Sequence, residues 1–89
     1  MNSKENLLSL RKDIDHVDKE LVLLFGKRLR LSEQIAQVKA DGNMAITDLH
    51  REQQVIDAAL AASDESDRAS VISFMQTLIA LSKMRQEGK

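Results

Sequence analysis

The 89-residue sequence contains no cysteine, proline, tryptophan or tyrosine, and only two phenylalanines. Without cysteine there is neither a disulfide framework nor a thiolate metal site. Two histidines, His16 and His50, are too few for a histidine zinc cage, although carboxylate sites remain open. With aromatics at 2% there is almost nothing to stack on a nucleobase, which argues against a reader of single-stranded nucleic acid. An excess of either charge is lacking too. Thirteen Lys and Arg against fourteen Asp and Glu leave no global field to draw the chain onto DNA or an anionic membrane. No run nears eighteen apolar residues, the length a membrane span requires. Met1 is followed by the polar residues 2–6, not by the basic and then apolar pattern of a secretory leader. The expectation is one soluble, cytoplasmic domain. A chain this short buries a small share of its surface and usually needs a staple or a partner.

What is present is helical periodicity. Leu7, Leu10, Ile14, Val17, Leu21, Leu24, Leu31, Ile35 and Val38 fall at alternating spacings of three and four, with Arg28 as the one charged rung of that ladder. Gly26 is the only glycine inside it, at a cost of about 1 kcal/mol without ending the helix. The spacing predicts a first helix over about 5–41, stopped at Asp41-Gly42-Asn43, where Gly42 or Asn43 can take the left-handed conformation. A second helix over about 48–62 is capped by Thr47 or Asp48 and turns Val55, Ile56, Ala59 and Leu60 to its apolar side. Residues 63–67 form a polar link whose Ser and Asp residues are natural caps for a third helix, about 67–86. That helix carries Val71, Phe74, Met75, Leu78, Ile79 and Leu81 as apolar positions. Met44, Met75 and Met84 read as core filler and His50 as an exposed helix residue. The fold class is therefore all-α, with one long and two shorter helices in a single domain, 1–89.

The first helix would be roughly 52 Å long, whereas a compact chain of this size has a radius of gyration of about 12 Å. Its apolar seam outruns what two shorter helices can cover. A second copy lying alongside, in an intertwined homodimer, is the economical solution. A plain coiled-coil hairpin or bundle module is the competing reading.

Charges placed inward discriminate between the two. Arg28 and Lys39 are eleven residues apart, about 20° around the helix and roughly 16 Å along it, so two long side chains can lean toward one small anion. Either can instead pair with an acid or run its charge out to water. Asp48, Arg51 and Glu52 share one face of the second helix's first turn. Taken separately, they are an N-terminal cap and a solvated pair. Ser82 and Gln86 lie at i, i+4 near the end of the third helix. Arg11 stands some 25 Å from Arg28 and about 100° off, too far to serve the same ligand in its own chain, although an antiparallel partner could use it.

Together these residues resemble an all-helical chorismate mutase of the AroQ class over nearly the whole chain. The resemblance rests on the string from Leu7 to Asp18, then Leu21, Leu24, Arg28, Leu31, Ile35 and Lys39, the segment Ile46 to Glu52, and Ser82 with Gln86. Ala45, where relatives often have Pro, and Gly26 depart from the pattern. The resemblance implies the Claisen rearrangement of chorismate to prephenate, which needs no metal, cofactor or nucleophile. Arg28 and the partner's Arg11 would bind the two carboxylates. Lys39 and Gln86 would donate to the ether oxygen, and Glu52, with Asp48 nearby, would receive the ring hydroxyl. Ser82 would assist at a carboxylate, and Arg51 would shape the wall. Gln86, close to the chain end, would become well ordered only with ligand bound. Rival readings within the fold are an isochorismate-pyruvate lyase and an amino-deoxychorismate mutase. A non-catalytic dimerisation or regulatory module is the rival outside catalysis.

Overall fold

The computed structural model describes residues 2–88. It consists of α1 (Ser3–Asp41), α2 (Leu49–Ala62) and α3 (Arg68–Gln86), with a 3-10 turn at Glu65–Asp67 leading into α3. No strand occurs among the described residues.

Where the boundaries differ from expectation, a local cause is visible. α1 begins at Ser3 rather than near Glu5 because Asn2 Oδ1 accepts the Glu5 amide at 2.8 Å, a cap that the apolar ladder does not announce. At its other end Asn43 takes the left-handed conformation with φ 55°, and Gly42 does not, with φ −90°. The amides of Gly42, Asn43 and Met44 reach back to the carbonyls of Val38, Ala40 and Lys39 at 3.0, 3.2 and 2.7 Å. Three carbonyls that a helix end leaves unpaired are thereby satisfied. Asp48, not Thr47, caps α2, its Oδ1 accepting the Arg51 amide at 3.0 Å.

The capping role expected of the 63–67 link is not realised. Ser63 donates its hydroxyl backward to the Leu60 carbonyl at 3.0 Å. Neither Asp64 nor Asp67 makes a side-chain cap bond. Asp67 already has near-helical angles, φ −99° and ψ −3°, which is not the extended geometry from which a side chain caps.

α3 is the central element: it packs on both α1 and α2, which do not pack on each other. Val55, Ile56, Ala59 and Leu60 of α2 are half-buried, as are Val71, Met75, Leu78 and Ile79 of α3. Phe74 and Leu81, expected on the same apolar side, stay exposed. On α1 the residues covered by the chain's own packing are Phe25, Gly26, Arg28, Leu29, Ser32, Ala36 and Lys39, a stripe beside the ladder that shares only its charged rung, Arg28. The ladder itself is open, from Leu7 to Val38, at 46% to 64% exposure.

Among the described residues no apolar side chain is fully buried. Met44 and Met84, read from sequence as core filler, are 62% and 50% exposed, because the chain has no second layer over them. Every residue from Asn2 to Leu24 is exposed. The chain measures 61 × 26 × 17 Å with a radius of gyration of 17.1 Å, against about 12 Å for a compact chain of this length. Its accessible surface is 7164 Å², whereas a compact monomer of this mass exposes about 5,200 Å². No helix among the described residues is long and apolar enough to cross a membrane.

The left-handed residue gives a direct check. Asn43→Ala should lower the unfolding free energy by about 1 kcal/mol, because Cβ penalises that conformation and the local polar compensation of Asn is lost. Asn43→Gly should be neutral or slightly stabilising. Denaturant unfolding of the three proteins measures both effects.

Candidate active site

Three segments converge on one cavity of about 420 Å³. α1 contributes Arg28, Leu31, Ser32, Ile35 and Lys39, which recur at helical spacing and so line a single strip of its surface. The loop and first turns of α2 contribute Ile46, Asp48, Arg51, Glu52 and Val55. The end of α3 contributes Ile79, Ser82, Lys83 and Gln86. The gap exists because α1 and α2 both pack on α3 and not on each other. Its polar groups line a volume in the range of small-molecule pockets.

Seven of the eight candidate residues meet there. Arg28 and Lys39 do face the same way, and Asp48, Arg51, Glu52, Ser82 and Gln86 join them. Arg11 does not. It lies in the exposed half of α1 and makes no hydrogen bond or ion pair among the described residues. Sequence reasoning missed Ser32 and Lys83. Ser32 is one turn past Arg28 and Lys83 is three residues before Gln86, so the signal in both cases was helical spacing from a residue already chosen.

The Arg28 guanidinium is fixed from α3: Nη1 donates to Ser82 Oγ and to the Leu78 carbonyl, the latter at 3.4 Å. Ser82, only 7% exposed, therefore acts as an acceptor that aims the guanidinium. Ser32, at 5% exposure, donates its hydroxyl to the Arg28 carbonyl at 3.0 Å, an ordinary side-chain-to-backbone bond one turn back in a helix. Burial, and secondarily the charge of Arg51, holds Arg28 below the usual arginine pKa. The group nonetheless remains cationic at neutral pH. An anion between Arg28 and Arg51 would relieve that repulsion.

Lys39 Nζ donates to the Ile46 carbonyl at 2.6 Å, tying the end of α1 to the segment that enters α2. Asp48 serves as the cap of α2 and also lines the cavity. Glu52 lies 2.7 Å from the Lys83 ammonium. This is an ion pair without hydrogen-bond geometry, since Glu52 Oε2 is buried and has no hydrogen-bond partner. Gln86 Oε1 is likewise buried without one. Just outside the cavity, Arg85 pairs with Glu33 and joins the last turn of α3 to α1. Four cations, Arg28, Lys39, Arg51 and Lys83, thus outnumber two carboxylates, Asp48 and Glu52, in the lining. Such a site attracts a small anion of more than one charge and offers it directional donors.

Comparison with known proteins bears on which anion. The family model described as chorismate mutase type II matches residues 10–87. The chorismate mutase of Methanocaldococcus jannaschii is 29% identical over 85 residues, covering 93% of this chain and 86% of that protein. The bifunctional chorismate mutase/prephenate dehydratase of Buchnera aphidicola subsp. Schizaphis graminum is 40% identical over 57 residues, or 64% of this chain and 15% of that protein. The corresponding bifunctional protein of Aquifex aeolicus is 33% identical over 61 residues, 68% of this chain and 17% of that protein. The chain thus spans under a fifth of the length of these bifunctional relatives. No solved structure matches.

The double position of Asp48 separates cap from charge. Asp48→Ala should cost about 1 kcal/mol of stability, whereas Asp48→Asn, an equally good cap, should cost a few tenths at most. Thermal unfolding of both variants reads the difference.

Proposed function

The chain belongs to the chorismate mutase type II family, and from that premise we propose that it is one catalytic domain converting chorismate to prephenate. The observation that carries this reading is the single cavity in which α1, α2 and α3 bring Arg28, Lys39, Glu52, Ser82 and Gln86 together. The reaction breaks the ether C–O bond as a new C–C bond forms within one molecule, so it requires neither a nucleophile nor a proton carrier. It requires a dianion held in its compact conformer and donors aimed at the ether oxygen, where negative charge grows. A millionfold acceleration corresponds to about 8 kcal/mol.

Arg28, already aimed by Ser82, takes one carboxylate through its planar fork. Lys39 exchanges the Ile46 carbonyl for the ether oxygen, which becomes the stronger acceptor only as the bond breaks. Gln86 has its amide oxygen turned into the protein, which supports Nε2 as the end that donates to the same oxygen. Glu52 accepts the ring hydroxyl, with Asp48 holding the first turn of α2 in register beside it. Arg51 closes the wall and adds to the field for the second carboxylate.

Arg11 completes the set from a second copy. The open ladder of α1 and the surface excess of roughly 2,000 Å² per chain are what an obligate homodimer interface of about 4,000 Å² in total consumes. With α1 helices lying antiparallel, the exposed half of each carries its Arg11 toward the other chain's cavity. Two shared sites per dimer result.

Incubating purified protein with chorismate should give prephenate. Salicylate with pyruvate from isochorismate, and no prephenate, would point to a lyase instead, and no turnover at high protein concentration would leave a non-catalytic module. Lys39→Ala and Gln86→Ala should each lower kcat at least a hundredfold, as loss of an oxyanion donor does. Subunit exchange tests the trans contribution. Mixing inactive Arg11→Ala with inactive Lys39→Ala should restore activity through one intact site per heterodimer, and background activity after verified exchange rejects a shared site.

A further inference from the structure

Lys83, ion-paired with Glu52, is the cavity-lining cation to which the proposed reaction gives no role. Lys83 lies on α3 between Ser82 and Gln86, and its side chain lines the same cavity. Its ammonium stands 2.7 Å from Glu52 Oε2 across the α2–α3 contact. The two side chains are 29% and 24% exposed, so solvent screens the pair only in part. Glu52 Oε2 itself has no hydrogen-bond partner, which leaves the Lys83 charge as what offsets a buried carboxylate oxygen. Two of the other three cations lining the cavity have separate engagements. Lys39 is held by the Ile46 carbonyl and Arg28 by Ser82 and Leu78.

A carboxylate with a cation at its side distinguishes two otherwise similar ring substituents. A neutral hydroxyl donates to Glu52 whether or not an ammonium is close. A protonated amine at the same ring position brings a second positive charge within a few ångströms of Lys83, where part of the attraction of Glu52 is already cancelled. We propose that Lys83 is a specificity-determining residue, making this cavity select a substrate with a ring hydroxyl over the analogue with a protonated amine in its place. The inference rests on the reading that Glu52 receives the ring substituent of chorismate. Lys83 acts through Glu52 and through its own charge, and no contact between Lys83 and the reacting atoms is required.

The test compares chorismate with amino-deoxychorismate, at a pH where the amine is protonated, on the full-length chain and on Lys83→Met, Lys83→Gln and Lys83→Arg. The readout is kcat/KM, or the competitive inhibition constant where turnover of the amine is too slow. The native chain should prefer chorismate. Both neutral variants should raise the amine-to-hydroxyl ratio by roughly tenfold, the scale of one partly screened charge, with the change lying mainly in KM. Lys83→Arg, which keeps the charge, should keep the native ratio. Raising the pH until the amine is neutral should shrink the difference between native and neutral variants. An unchanged ratio in Lys83→Met and Lys83→Gln, with native chorismate turnover intact, overturns the role of Lys83 alone. A native chain that does not turn over chorismate overturns the functional reading and this inference with it.

Discussion

The constraint behind the rest of the structure is that α1 has more apolar surface than its own chain can cover. Twelve large aliphatic side chains from Leu7 to Val38 stay open along a 39-residue helix, and among the described residues no apolar side chain is fully buried. A domain in water is held together chiefly by removing such surface from solvent. Left alone, this chain would have little to set against the entropy of ordering its backbone. The proposed second copy is therefore a condition of folding as much as of catalysis. It also accounts for Met44, Met84, Phe74 and Leu81, whose exposure is hard to reconcile with a monomer.

Catalytic geometry follows from how the chain divides its helix surfaces. The stripe of α1 that its own chain covers is the one carrying Arg28, Ser32 and Lys39, whereas the neighbouring aliphatic stripe stays open. Charge is thus placed where helices from one chain hold it in register, and the oily surface is the one the proposed second copy would cover. Because α1 and α2 diverge over α3, the polar stripe borders a cavity rather than a packed seam. Three of the four cations inside it already have partners: Arg28 on Ser82, Lys39 on a backbone carbonyl, and Lys83 on Glu52. Such contacts hold the side chains near working positions and can be exchanged for stronger acceptors as charge moves within a bound substrate.

Much of this was legible in the sequence, and the failures have physical reasons. The apolar set of α2, Val55, Ile56, Ala59 and Leu60, is the half-buried set, because a short helix with one neighbour has one apolar face. The ladder of α1 reads as a buried seam from its spacing, yet within one chain it is open, because periodicity does not say what covers a face. The half-buried stripe next to it mixes Leu29 and Ala36 with Arg28, Ser32 and Lys39, so its polar members break the apolar pattern that a periodicity search needs. Gly42 and Asn43 were equivalent as stop signals. Side-chain chemistry alone does not choose between them, and the backbone placed the left-handed residue one position later. The link failed as a capping segment because a 3-10 turn carried Asp67 into helical angles before its carboxylate could cap. Lys83 was invisible for a different reason, since a lysine near a helix C-terminus is ordinary until Glu52 of another helix is found beside it.

If a second chain is a condition of folding, the stability of this protein depends on its concentration. Denaturant unfolding followed across a hundredfold range of protein concentration tests this directly, because mass action raises the midpoint of an obligate dimer with concentration. The predicted result is a single transition whose midpoint climbs steadily with protein concentration, together with a sedimenting species of twice the chain mass. A midpoint independent of concentration and a sedimenting species of one chain mass would contradict it.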